Sequence, residues 1–169
     1  MTTESYNYKH WVAILDFKTC KICRDNHGKI LNLNQTYEYD PPIHYKCRCS
    51  IIKMQAIIAG NATKDGDSGA DWYLKNIGIL PNNYVSFDYA SERGWKYGKS
   101  PSKYIPGKML TRGIYENYNE HLPVSPGRIW YEADINYYEG KRNSHRIIWS
   151  NDGLIFVTYN HYETFYEII

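Results

Sequence analysis

Between Arg128 and Asn136 the chain alternates, with Ile129, Tyr131, Ala133 and Ile135 on one side and Trp130, Glu132, Asp134 and Asn136 on the other. A period of two marks a strand, and its polar side carries carboxylates. Two apolar runs, Arg146-Ile147-Ile148-Trp149 and Leu154 to Tyr159, flank Ser150-Asn151-Asp152-Gly153. The Asp-Gly pair supplies the positive φ of a tight hairpin. Thr164 to Ile168 reads as a last strand. Upstream, Asp71 to Ile77 has a helical pattern stopped by Gly78, and Ser86 is placed to cap a second helix that reaches Gly94. Short helices followed by an antiparallel meander predict an α+β fold, the helices packed on a C-terminal sheet.

Composition changes the picture mainly by dividing the chain. Of 169 residues, 43% are hydrophobic and 22% charged, so a folded protein is expected rather than a disordered one. Aromatics (18 Tyr, 5 Trp, 4 Phe) favour strands and stacking surfaces over a helical bundle. The longest apolar runs fall far short of the roughly 18 residues a membrane span needs, so no membrane partner is expected. The net charge of +2 hides an asymmetry: residues 1–58 carry eight Lys/Arg against five Asp/Glu, residues 59–169 twelve against thirteen. All four cysteines lie in the first part. Ala59 to Gly69 is small, polar and glycine-rich, which reads as a linker. The expected organisation is a Cys/His-rich module over 1–58, a linker over 59–68 and a cysteine-free domain over 69–169. The amino terminus has no apolar core segment and no cleavage site, so nothing directs ordinary secretion. Virion association and export by a non-classical route stay open.

A module of about fifty residues seldom folds without a metal, a disulfide or a partner surface. Cys20-Lys21-Ile22-Cys23 has the spacing that lets two sulfurs share one tetrahedral ion, and His44-Tyr45-Lys46-Cys47-Arg48-Cys49 offers a second cluster. One structural zinc is the favoured reading, held by Cys20, Cys23, His44 and one of Cys47 or Cys49; two disulfides or free thiols are the alternatives. Trp11, Leu15-Asp16, Thr19-Cys20, Cys23, Gly28-Lys29-Ile30 and Pro41-Pro42-Ile43-His44 through Cys47-Arg48-Cys49-Ser50-Ile51 resemble the carboxy-terminal motif of phage head morphogenesis (Mu F-like minor capsid) proteins. The likeness covers residues 11–52. It implies phage head components as partners.

Residues 128–169 concentrate what phosphodiester chemistry needs. Glu132 projects from a strand, Lys141, Arg142 and Arg146 supply cations, and His161-Tyr162 precedes the last strand. A glutamate and a histidine can divide the roles of base and acid, while fixed cations hold the charge developing on phosphate. From spacing alone, a strand carboxylate paired with arginine and a histidine on a polar loop is the competing reading. Leu80-Pro81-x-Asn83-Tyr84, Gly94-Trp95, Pro106-Gly107-Lys108, Gly127-Arg128-x-Trp130-x-Glu132-Ala133-Asp134-Ile135-Asn136-Tyr137, Arg142-Asn143-Ser144-x-Arg146-Ile147 and His161-Tyr162-x-Thr164-Phe165 resemble the barnase-like microbial guanyl-preferring ribonucleases. The likeness spans residues 69–169. It implies Glu132 as general base, His161 as general acid, Arg142 and Arg146 on the scissile phosphate, Tyr162 beside it and no cofactor for catalysis. It also implies a buried structural pair between Arg128 and Asp152, an RNA substrate and a small acidic barstar-like inhibitor protein as partner.

Two positions depart from the family pattern. Phe87 stands where a lysine is expected, and Asn117-Tyr118-Asn119 replaces Asn-Arg-Glu in the base-reading loop. Lys141 is the nearest substitute cation in sequence, with Arg112 another. The expected function is an endoribonuclease toxin joined to a phage-derived module; a phage structural or RNA-binding protein with an impaired site is the alternative.

Overall fold

The computed structural model describes residues 6–169. Residues 1–5, where the amino-terminal stretch read for a secretion signal begins, lie outside the described residues. The chain divides into two compact units, one ending at Ala56 and the other running Ile57–Ile169.

In the first unit, strands β1 (Tyr8–Val12), β2 (Ile30–Asn32) and β3 (Ser50–Met54) form an antiparallel sheet in the order β2-β1-β3, with Lys9 opposite Leu31 and Trp11 opposite Ile51. Helix α1 (Lys21–Asn26) starts at Cys20, whose sulfur accepts from the Cys23 N–H. The core is small. Trp11 is fully buried, with Tyr37 edge-on at 5.3 Å, and the Tyr37 hydroxyl reaches the carbonyls of Lys9 and Lys29. Periodicity did not announce these strands because Lys9 and His10 interrupt the apolar positions of β1, β2 has only three residues, and the adjacent Ile51 and Ile52 of β3 do not alternate.

The second unit is a seven-stranded sheet in the order β4-β10-β9-β8-β7-β6-β5. Its strands are β4 (Ala56–Ile57), β5 (Tyr84–Ser86), β6 (Met109–Tyr115), β7 (Trp130–Asp134), β8 (Arg146–Ser150), β9 (Ile155–Thr158) and β10 (Tyr166–Ile168). The neighbours from β6 to β10 pair antiparallel, whereas β5 runs parallel to β6. Helix α2 (Ala70–Asn76) lays Ala70 and Leu74 on a core of Ala133, Ile135, Ile147, Val157 and Ile168. Helix α3 (Phe87–Glu92) begins at Ser86, whose hydroxyl accepts from the Tyr89 N–H at 3.1 Å, and closes at Arg93 before Gly94. Its Ala90 packs with Trp95, Ile105 and Leu110. The unit is α+β and rich in antiparallel pairs. Among the described residues no helix is long and apolar enough to cross a membrane.

Two expectations need correction. The glycine-rich stretch over 59–68 is not an open tether: Ala62 is buried in the α2 core, and the Tyr159 hydroxyl donates to its carbonyl at 2.6 Å. The buried Asp71 carboxylate accepts from the N–H groups of Gly60 and Ala62 at 2.7 and 2.9 Å and from the Thr63 hydroxyl at 3.2 Å. Small residues are needed there for close approach, since a Cβ on Gly69 would collide with Thr63 and Asp71. The composition of a linker and of a tightly packed turn is the same when distant side chains supply the partners. The pair of Arg128 and Asp152 is formed, but the Asp152 side chain is nearly half exposed, because it sits on the β8–β9 turn.

Candidate active site

Strand β7 is buried on both faces, and this determines the chemistry. Trp130 packs with Leu122 and Ile148, Ala133 joins the α2 core, and the carboxylates of Glu132 and Asp134 are almost completely removed from water. A charge so buried needs partners. Asp134 receives Arg142 through Nε at 2.8 Å and Nη2 at 2.6 Å, and Arg146 through Nε at 3.1 Å. Burial works against the charge on Arg142, but the bonds to Asp134 outweigh it and raise its pKa. One carboxylate thus anchors two guanidiniums, leaving an excess positive charge. Asp134 lies two residues from Glu132 on one face of one strand, and that position alone does not reveal the two arginines that converge on it.

Glu132 is held differently. The Tyr162 hydroxyl donates to its Oε2, and Arg112 reaches its Oε1 at 3.5 Å from an exposed position. Burial first, and the neighbouring Glu132 second, push the Tyr162 hydroxyl far up, so it stays a donor. The ring of Tyr162 stacks on Tyr115 at 5.3 Å and touches the His161 ring at 4.8 Å.

His161 and Tyr162 both have positive φ, 56° and 71°. Consecutive non-glycine residues in the left-handed region are strained and persist only when their surroundings hold them. Here Asn160 accepts from Thr164 N–H at 3.0 Å, its amide donates to the Thr164 hydroxyl, Thr158 accepts from Tyr162 N–H at 3.0 Å, and His161 N–H bonds the Ser144 carbonyl at 3.1 Å. The result is an exposed imidazole at the mouth of a cleft of about 380 Å³, lined also by Tyr97, Lys99, Lys141, Arg142 and Arg146.

The predicted residues therefore fall into three groups. His161, Lys141, Arg142 and Arg146 share the cleft, and Glu132 is tied to them through Tyr162. The loop residues behave differently. Asn117 uses both ends of its amide within the loop, donating to Leu122 O and accepting from Leu122 N, whereas Tyr118 is 86% exposed and open to stacking. Phe87 packs edge-on to Trp95 at 5.2 Å and lies under the Arg142 guanidinium, 5.2 Å from its carbon. The missing lysine is thus replaced by an apolar platform for an arginine.

The third group is the Cys/His cluster of the first unit. All four cysteines are free thiols. His44 Nε2 lies 3.3 Å from Cys20 Sγ and 3.2 Å from Cys23 Sγ, and Cys47 Sγ is 3.9 Å from Cys23 Sγ. Cys20, Cys23 and His44 form one set of convergent ligand atoms and Cys23, Cys47 and Cys49 another. These separations suit a tetrahedral ion with Zn–S bonds near 2.3 Å and a Zn–N bond near 2.0 Å. The Nδ1 of His44 donates to the Tyr45 carbonyl at 2.8 Å, which turns Nε2 towards the sulfurs.

A buried carboxylate beside a strained histidine and two anchored arginines makes an anion-handling site on an α+β sheet. The comparisons give that class its family. A family model described as ribonuclease matches residues 73–169, so the chain belongs to the ribonuclease family, whose members support an RNA-cleaving enzyme; a model described as Phage Mu protein F like protein matches residues 2–52. A ribonuclease of Heyndrickxia coagulans is 42% identical over 103 residues, which cover 60% of this chain and 94% of that relative. Ribonucleases of Bacillus intermedius and Bacillus pumilus are also 42% identical over 103 residues, again 60% of this chain, but the match spans only 63% of their length.

Proposed function

We propose that the chain is an endoribonuclease that cleaves single-stranded RNA without a metal, through a 2′,3′-cyclic phosphate. Glu132 removes the proton of the 2′-hydroxyl, whose oxygen attacks phosphorus; the bond to the 5′-oxygen breaks, and His161 gives that oxygen its proton. Water then opens the cyclic phosphate with the two roles reversed. Arg142 and Arg146 hold the phosphate and its developing charge, with Lys141 at the rim. What carries this reading is the pairing of a buried, hydrogen-bonded Glu132 with an exposed His161, joined through Tyr162 beside two arginines that share a single counter-ion. Tyr118 stacks on the base, and Asn119 offers one neutral acceptor where a carboxylate would take two guanine N–H groups, so base selectivity is reduced.

In the same reading the first unit is a phage-derived module with one structural zinc held among Cys20, Cys23, His44, Cys47 and Cys49, and the whole is a toxin. An acidic inhibitor of the barstar kind and phage head components are its protein partners, the inhibitor drawn by the cationic cleft. The test is cleavage of a labelled RNA in EDTA. Glu132→Gln and His161→Ala should each lose at least about 10²-fold in rate, and the unaltered chain should release a cyclic phosphate. Undiminished cleavage by both variants, or no cyclic product, sinks the assignment.

A further inference from the structure

Two turns flank the Cys/His cluster, and they are built alike. Thr19 N–H bonds the Asp16 carbonyl at 3.1 Å, and Cys47 N–H bonds the His44 carbonyl at 3.1 Å. The first turn presents Phe17-Lys18 at its two central positions and the second presents Tyr45-Lys46. Both aromatic rings stand almost entirely in solvent, Phe17 at 90% and Tyr45 at 88% exposure. Neither is there to fill a core.

Each ring carries the ammonium of the lysine that follows it, at 5.4 Å in both cases. Among the described residues neither lysine has an ion-pair partner, whereas the nearby Asp16 carboxylate is held by two bonds from Arg48, at 2.7 and 2.6 Å. That pair ties the start of one turn to the end of the other. Lys18 and Lys46 accordingly line one recess together with Cys20 and His44. Lys46 has φ of 58°, a conformation the turn imposes on a non-glycine residue.

We infer that these two turns form a second binding surface, for single-stranded RNA. An exposed ring accepts any base by stacking, and an unpaired ammonium beside it meets the phosphate between two bases. Two such units, braced by Asp16 and Arg48, would take adjacent nucleotides irrespective of sequence. The excess of cations over anions in residues 1–58 acts in the same direction. The inference rests on the proposed RNA substrate for its purpose: a module that holds RNA raises the local concentration of substrate for the ribonuclease unit of the same chain.

The test uses the full chain and a fluorescent oligonucleotide about a dozen nucleotides long, 2′-O-methylated throughout so that no 2′-hydroxyl is available for attack. Fluorescence anisotropy should show Phe17→Leu with Tyr45→Leu weakening binding at least tenfold. Phe17→Tyr with Tyr45→Phe, which keeps the rings, should retain wild-type affinity and so separates stacking from misfolding. Lys18→Gln with Lys46→Gln should lower the dependence of log affinity on log salt by about 1.4, the share of two phosphate contacts on a single strand. Unchanged affinity in the leucine variant and an unchanged salt slope overturn the inference and assign the surface to a protein. Cleavage of a dinucleotide by the unaltered chain is measured in parallel. If that fails while the leucine variant still loses affinity, the ribonuclease reading falls and the binding surface stands.

Discussion

Tyr162 donates its hydroxyl to Oε2 of Glu132 at 2.5 Å, while its ring lies flat on Tyr115. The donor is therefore fixed before any substrate arrives. A hydrogen bond to the charged form of a carboxylate favours that form. Tyr162→Phe keeps the stacked ring and removes the donor, so Glu132 is held less firmly and cleavage should slow. At about 1.5–3 kcal/mol for a bond to a charged group, the loss should be roughly 10- to 150-fold in kcat/KM. An unchanged rate would show that Tyr162 does not position Glu132.

Phe87 supports Arg142 from below and Trp95 from the side. Phe87→Lys adds a cation near the phosphate site and should raise the cleavage rate roughly 10- to 150-fold, since a charge-assisted contact is worth about 1.5–3 kcal/mol. It should also lower stability by about 1–3 kcal/mol, because an aromatic pair is lost and a second charge is set beside Arg142. Denaturant unfolding and single-turnover cleavage read the two effects separately. Arg112→Ala, which removes the existing cation beside Glu132, should slow cleavage. A faster or equal rate would place Arg112 outside the reaction.

Asp152 offers a test in acid. Hydrogen bonds from Arg128 lower its pKa to about 2. A carboxyl whose folded-state pKa is depressed contributes stability above its unfolded value, near 3.9, and that stability is lost as pH falls towards the folded value. Its side chain is nearly half exposed, so screening keeps the contribution to about 1 kcal/mol or less. Asp152→Asn should thus destabilise the protein slightly at pH 6 and by less at pH 2. A difference that persists unchanged at pH 2 would show that packing, not charge, is at stake.

Purified under reducing conditions, the protein should contain about one zinc per chain by elemental mass spectrometry. Cys23 belongs to both convergent ligand sets, so Cys23→Ser should abolish binding, whereas Cys47→Ser and Cys49→Ser should differ from each other. Chelation should reduce the order of the first unit and leave RNA cleavage intact. A zinc-free protein with the same stability would remove the metal from the account.

Much of this was legible in the sequence where local rules and global packing agree. The alternation around Glu132 and the caps at Ser86 and Gly94 rest on periodicity and turn chemistry, and those elements stand within a residue or two of their expected places. The rest depends on partners distant in sequence. Ala62 looks like linker until Asp71 and Tyr159 bind its backbone, and β5 is a strand only because Met109 to Thr111 run alongside it. The role of Asp134 was hidden in the same way, since an aspartate on a polar strand face does not announce that two arginines will converge on it.

The backbone of Ile169 bonds both Ile57 and Ala59, so the second unit joins its first strand to its last. This edge of the sheet stays open until the segment around Ile169 is in place. The loop of His161 and Tyr162 lies immediately before β10, so the strained pair is held from both sides only once β10 has paired with β9. Detaching β10 from β9 would therefore release the strained histidine while the remaining strands keep their pairings.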